Sequence, residues 1–259
     1  DPTRWDALPE NVREALGMAT ASAPGPDGIP YKAWQSLGEH AVTVLHDVAT
    51  AMASPEAREL LLEAHSDRAH EGQHVFNLST LVCLPKTASG HASDVGDYYE
   101  ASATRPLSIV NTDNRIIANA LRLRWEPILD SAISALQQGF LKNRSMMRNI
   151  VDVDTESMRV SLADEKGGII LFDFRAAFPS ISHRYLLQAL RRIGLPESAI
   201  HAISLLYDGN RCKISCQGGM YEGFESTAGV RQGCPLSPLL FVAVVDTLLR
   251  RLQKSAPRA

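Results

Sequence analysis

At 259 residues and 45% hydrophobic content, the chain is long and apolar enough to bury a sizeable core, as one large domain or two closely packed subdomains. A formal net charge of −3 excludes attraction of nucleic acid by the field of the whole molecule, so such a partner must be met by local basic patches. No apolar run reaches bilayer length and the opening residues lack a signal-peptide pattern, so no membrane partner is expected and the expected location is intracellular.

Residues 5–18 are expected to form a short helix with Val12, Ala15 and Leu16 on its apolar face. The segment SAPGPDG at 22–28 consists of turn formers, and Pro30 then opens a helix through Trp34, Leu37, Val44 and Leu45 toward Met52. His65, His70 and His74, with Asp67 and Glu71 between them, form a tempting metal cluster. Gly72 interrupts any helix there and no cysteine lies nearby in sequence, which weighs against a metal site. Residues 78–84 read as a strand ending at Pro85, with Lys86 at its tip, and residues 105–110 as its antiparallel partner. That pairing brings Lys86 and Arg105 together, either as ordinary surface charges or as cations able to grip a triphosphate. The intervening residues 87–103 show no clear periodicity and are expected to be a mobile loop.

A helix is predicted over residues 113–125, with Ile116, Ile117, Ala120 and Leu123 inward and Arg115, Arg122 and Arg124 outward. Gln138, Gly139 and Phe140 make a turn, followed by Lys142 and Arg144 just before a helix opening at Ser145. Cations and backbone amides near a helix start suit a phosphate contact. Ile150, Val151 and Met158 mark the expected buried face of that helix.

Residues 169–172, IILF, form a short apolar run after two glycines and are expected to be a buried strand. Asp173 follows directly, either as a solvated strand-end acid or as a hard oxygen ligand for a divalent cation in a cleft. Ser182 is placed to cap a helix whose Leu186, Leu190 and Ile193 face inward, stopped by Gly194 and Pro196. A further helix carries Ile200, Ile203, Leu206 and Tyr207, and a hairpin over 211–216 and 220–224 turns at Gln217, Gly218 and Gly219. Cys212 and Cys216 lie roughly 13 Å apart on one face of that strand, too far to share a metal, so they and Cys83 and Cys234 are read as free thiols. Arg231, Gln232 and Gly233 then supply a cation, an amide and a residue without a side chain, a loop able to meet a nucleotide. The final helix from Pro238 to about Leu252 is nearly all apolar and is expected to be central, with Asp246 in a buried network or at the surface.

Two stretches carry more than local structure: D-x-x-x-A-F at Asp173, Ala177 and Phe178, and RQGCPLSPLLF at 231–241. Together they resemble two palm motifs of reverse transcriptases, most closely those of non-LTR retrotransposons and their group II intron relatives. The likeness extends to the SAPGPDGIP loop, to the LPK and RPLS segments, which resemble a fingers hairpin that closes over the incoming nucleotide, and to the QGF turn, which resembles a block placed against template and primer. The resemblance implies an α+β fold, the fingers and partial palm of a right-hand polymerase. It implies a lead-in at residues 1–21, fingers at 22–165 and an incomplete palm at 166–259, in a nuclear or cytoplasmic protein.

By this resemblance Asp173 and the main-chain carbonyl of Phe174 hold two Mg²⁺ ions, with Mn²⁺ as a substitute, and Phe178 lies under the sugar. Lys86, Arg105, Gln232 and Gly233 meet the deoxynucleoside triphosphate. Gly139, Lys142, Arg144 and Arg231 lie against the RNA template and the DNA primer strand. The chain departs from the pattern at Pro179, where many relatives carry Asp, and it lacks the aromatic-x-Asp-Asp hairpin. It is therefore expected to be a fragment of a longer protein, inactive alone. The alternatives are a group II intron maturase-type polymerase and a module that binds RNA without catalysis.

Overall fold

The computed structural model describes residues 1–60, 76–163 and 166–255, and the histidine cluster at 65–74 lies outside them. Helices and short strands mix in an α+β arrangement whose centre is α4 (Thr112–Ala132), a helix longer than the 113–125 expected. Ile116, Ile117, Ala120, Leu121, Trp125 and Leu129 are buried along it. Trp125 donates its indole N–H to the Trp5 carbonyl at 2.6 Å, tying the N-terminus onto this helix. Around it pack α1 (Pro9–Gly17), α2 (Tyr31–Leu37) and α3 (Glu39–Ala51). The single helix expected from Pro30 to Met52 is two, because Gly38 breaks it with φ +55°, a conformation that glycine adopts without cost.

The basic exterior expected of α4 is not there. Arg115 turns inward, donating to Ser22 and to the Ala23 carbonyl and lying over the Tyr31 ring, while Arg122 pairs with Glu126 at 2.6 Å. These cations stitch the fold, because a partly buried guanidinium must find acceptors within the protein.

Four strands form one sheet in the order β4 (Thr104–Val110), β1 (Ser79–Pro85), β5 (Arg211–Cys216) and β6 (Gly219–Glu225). β1 pairs antiparallel with β4, and Leu84 stands opposite Arg105. β5 and β6 form the expected hairpin, while β1 and β5, far apart in sequence, pair in parallel. Residues 87–103 are more ordered than expected, holding the small hairpin of β2 (Gly90–Ala92) and β3 (Gly96–Tyr98). Strands of three residues are too short to leave a periodic trace.

The second half adds α5 (Met146–Leu162), α6 (His183–Ile193), α7 (Glu197–Tyr207) and α8 (Ser237–Ser255). Ser182 caps α6 and Gly194 ends it in the left-handed region, both as expected. The apolar core of α8 is buried, and Asp246 inside it accepts from the Ser134 amide and from Arg250. All four cysteines are free, Cys212 and Cys234 buried and the other two exposed.

Two expectations fail. The apolar face of α5 is exposed, Ile150, Val151 and Met158 each more than half so. Residues 169–172 have no regular secondary structure and belong to no ladder, and Phe172 is 77% exposed. Hydrophobic pattern marks a segment that gains by burial, but only a neighbour supplies the burial, and the four strands of the sheet pair among themselves without this segment. Among the described residues no helix is long and apolar enough to cross a membrane.

Candidate functional site

The two sequence motifs meet at a backbone junction. Phe178 opens a single 3₁₀ turn (Phe178–Ser180), and its carbonyl accepts from the Val230 amide at 3.0 Å. The Gly229 amide donates to the Ile181 carbonyl, while the Gly229 carbonyl accepts from His183 Nε2 at 2.8 Å. Gly229 has φ +90°, and a Cβ there would lie 2.8 Å from the Pro179 Cα. Glycine is therefore required on one side of the junction, and Pro179 sits at the start of the turn on the other.

The loop beyond the junction docks on the free edge of β4. The Ser108 amide donates to the Gln232 carbonyl at 2.9 Å, and Gly233, at φ +108°, passes so close that a Cβ would meet the Ser108 carbonyl at 3.0 Å. Ser108 stands three residues from Arg105 on the same strand, about 10 Å at the usual rise. Arg105 faces Leu84 across the ladder, and the Lys86 amide bonds the Ala103 carbonyl, so both cations occupy one end of the β1/β4 pair, where both are exposed. Gln232 and Gly233 thus lie on the β4 edge, and Arg105 and Lys86 lie at the end of the β1/β4 pair. The cavity between loop and sheet, lined by Ser79, Asn210, Arg231 and Gln232 among others, holds only about 150 Å³. A ligand of nucleotide size needs more, so the open edge is the available surface.

Phe178 is held from the side by aromatic rings that the sequence reading did not assign to the site. Its ring centroid lies 4.9 Å from Phe241 on α8 and 6.0 Å from Phe140, whose φ is +58°. The signal for Phe241 was its place at the end of the long motif, and for Phe140 its place in the QGF turn.

Asp173 and Phe174 lie on the irregular segment before this turn, both exposed. Their donor chemistry, a carboxylate and a main-chain carbonyl, suits a hard divalent cation, which is commonly held by one or two carboxylates plus substrate phosphates. Among the described residues no group of three acids, histidines or cysteines converges to complete a metal cage.

Two residues expected at the template are placed otherwise. Arg231 is 4% exposed, donates to the Leu206 carbonyl and lies 5.4 Å over the Tyr207 ring. Arg144 pairs with Asp130 at 2.7 Å and donates to the Asp130 carbonyl in the last turn of α4 and to those of Ile133, Ser134 and Gln137 in the segment that follows. A helix end leaves carbonyls without partners, and the guanidinium fork meets one of them, at the negative end of the dipole, together with carbonyls of the turn beyond it. Lys142 remains exposed, and the Gly139 amide bonds the Gln137 side chain.

A family model described as Reverse transcriptase (RNA-dependent DNA polymerase) matches residues 86–257. The retrovirus-related Pol polyprotein from type-2 retrotransposable element R2DM of Drosophila melanogaster is 27% identical over 96% of this chain and 21% of its own length. A Pol polyprotein from type-1 retrotransposable element R2 of Nasonia vitripennis is 26% identical over 97% of this chain and 22% of its own. The chain thus spans about a fifth of the length of these relatives. A solved partial Cas6-RT-Cas1–Cas2 complex aligns over 78% of this chain and 31% of that chain at 17% identity and a TM-score of 0.38, too low to bear on the assignment. With a family model covering well over half of the chain, this chain belongs to the reverse transcriptase family.

Proposed function

We propose that this domain performs RNA-templated DNA synthesis within a non-LTR retroelement protein, adding deoxynucleotides to a primer 3′ end. The observation that carries the reading is the bond from the Ser108 amide to the Gln232 carbonyl, which supports a nucleotide site running along the β4 edge. In this reading residues 22–165 act as fingers and residues 166–259 as part of the palm.

Lys86 and Arg105 take the triphosphate, the flexible ammonium as a point charge and the guanidinium as a fork for paired oxygens. Gln232 and Gly233 approach the base and sugar, the latter because it has no side chain to hold a ligand off. Phe178, braced by Phe241, excludes a 2′-hydroxyl by its bulk. Asp173 and the Phe174 carbonyl would hold Mg²⁺, or Mn²⁺ in its place. Two such ions, when bound, lower the pKa of the attacking hydroxyl and neutralise the leaving pyrophosphate. Phosphoryl transfer otherwise asks the protein mainly for positioning and charge. Lys142 is left to meet template or primer phosphate, while Arg144 and Arg231 support the site from within.

Primer extension by the natural full-length protein on an RNA template, with Mg²⁺ or Mn²⁺, tests this. Template-dependent synthesis whose KM for the incoming nucleotide rises at least tenfold in Lys86→Ala/Arg105→Ala supports it. Template binding without any synthesis would replace it with the non-catalytic RNA-binding reading.

A further inference from the structure

The side chain that organises the RQG loop belongs to neither motif. Tyr207 is the last residue of α7 and is 6% exposed. Two residues of the segment 229–237 touch its side chain directly and a third is reached through His183. Gly229 is reached through His183, which bonds its carbonyl at 2.8 Å and stacks on Tyr207 with centroids 5.0 Å apart. Arg231 lies over the ring at 5.4 Å, and Ser237 bonds the Tyr207 hydroxyl at 3.2 Å. Gln232 and Gly233 fall between the second and third of these anchors.

The energetics point the same way. Arg231 is buried, donates to the carbonyl of Leu206, and has no hydrogen-bond partner at Nε or Nη1. An ionised group so placed is costly unless something compensates its charge. The Leu206 carbonyl at the negative end of α7 and the π face of Tyr207 are the compensating groups, and a cation–π contact is strongest when desolvated. Removing the ring leaves the guanidinium without its main support, so Arg231 must move toward water and carry Gln232 and Gly233 with it.

We infer that Tyr207 is a positioning residue for nucleotide binding, acting through Arg231 and Ser237 to hold Gln232 and Gly233 on the β4 edge. This rests on the nucleotide-site reading above. Both are therefore measured in one assay, steady-state primer extension by the natural full-length protein, with KM for the deoxynucleotide and Kd for template-primer read separately. Tyr207→Leu is expected to raise the nucleotide KM about tenfold while template-primer Kd stays within about twofold. Tyr207→Phe, which keeps the ring, is expected to stay within about threefold of wild type in both. Arg231→Lys, which keeps charge but not the flat guanidinium, is expected to reproduce the KM rise, and the double variant to be no worse than either single one, because the two act as a unit. Should Tyr207→Leu fail to fold, Arg231→Lys carries the test with the same outcomes. An unchanged nucleotide KM in a folded variant, or an equal loss of template-primer affinity, overturns the inference and leaves the nucleotide-site reading standing. A wild type that makes no DNA overturns both.

Discussion

The Val230 amide donates to the Phe178 carbonyl at 3.0 Å, so the residue expected beneath the sugar and the loop expected beside the base are held in one backbone junction. Neither motif positions itself alone. The relative placement of Phe178 and Gln232 depends on this bond and on the neighbouring one from Gly229 to Ile181.

Phe178→Ala in the full-length protein is expected to admit ribonucleotides, since the proposed discrimination is a clash that a smaller side chain relieves. The ring packs on Phe241 at 4.9 Å, so a stability loss of about 1–3 kcal/mol accompanies the change. Incorporation efficiencies for matched ribo- and deoxyribonucleotides check it. An unchanged ratio in folded protein removes Phe178 from the sugar gate.

Asp173→Asn is expected to abolish DNA synthesis without loss of fold, because an exposed carboxylate contributes little to stability. Primer extension and thermal melting measure the two effects separately. Retention of more than about a tenth of wild-type rate, a barrier change below about 1.4 kcal/mol, would show that Asp173 is not a metal ligand in the reaction.

Arg144→Ala is expected to cost about 2 kcal/mol in urea unfolding, because it removes the bonds that tie the last turn of α4 to the segment after it and leaves Asp130 unpaired. Arg144→Lys should recover little, since an ammonium cannot span several carbonyls as the fork does. A stable Arg144→Ala whose template affinity loses about one unit of salt dependence would return Arg144 to the template instead.

Burial pushes the Asp113 carboxyl up to about 6, with the nearby Asp27 adding to the rise and Arg115 opposing it. Folding thus favours its protonated form. The stability this contributes is complete below about pH 4, the ordinary carboxylate value, and is lost as pH rises through about 6, at most about 3 kcal/mol. Asp113→Asn should therefore be more stable than wild type at pH 7–8 and lack this loss. The difference between their unfolding free energies from pH 4 to 8 measures it, and a constant difference would refute the shift.

Much was legible in the chain itself. The antiparallel pairing of 78–84 with 105–110, the β5/β6 hairpin and the Ser182 cap follow from period, turn residues and capping chemistry, all short-range. The family likeness was legible because it rests on contiguous stretches of sequence, Asp173 to Phe178 and 231–241, which lie within the residues the family model matches. Tertiary structure alone decided what each arginine and each apolar face does. Arg115, Arg144 and Arg231 look like accessible cations in sequence, yet the Ala23 carbonyl and Tyr31 ring, the end of α4, and α7 respectively draw them inward. The parallel pairing of β1 with β5, and the exposure of residues 169–172 and of the α5 face, likewise depend on which partners arrive from distant sequence. Local pattern states what a residue gains by contact, and only the assembled fold states whether the contact is made.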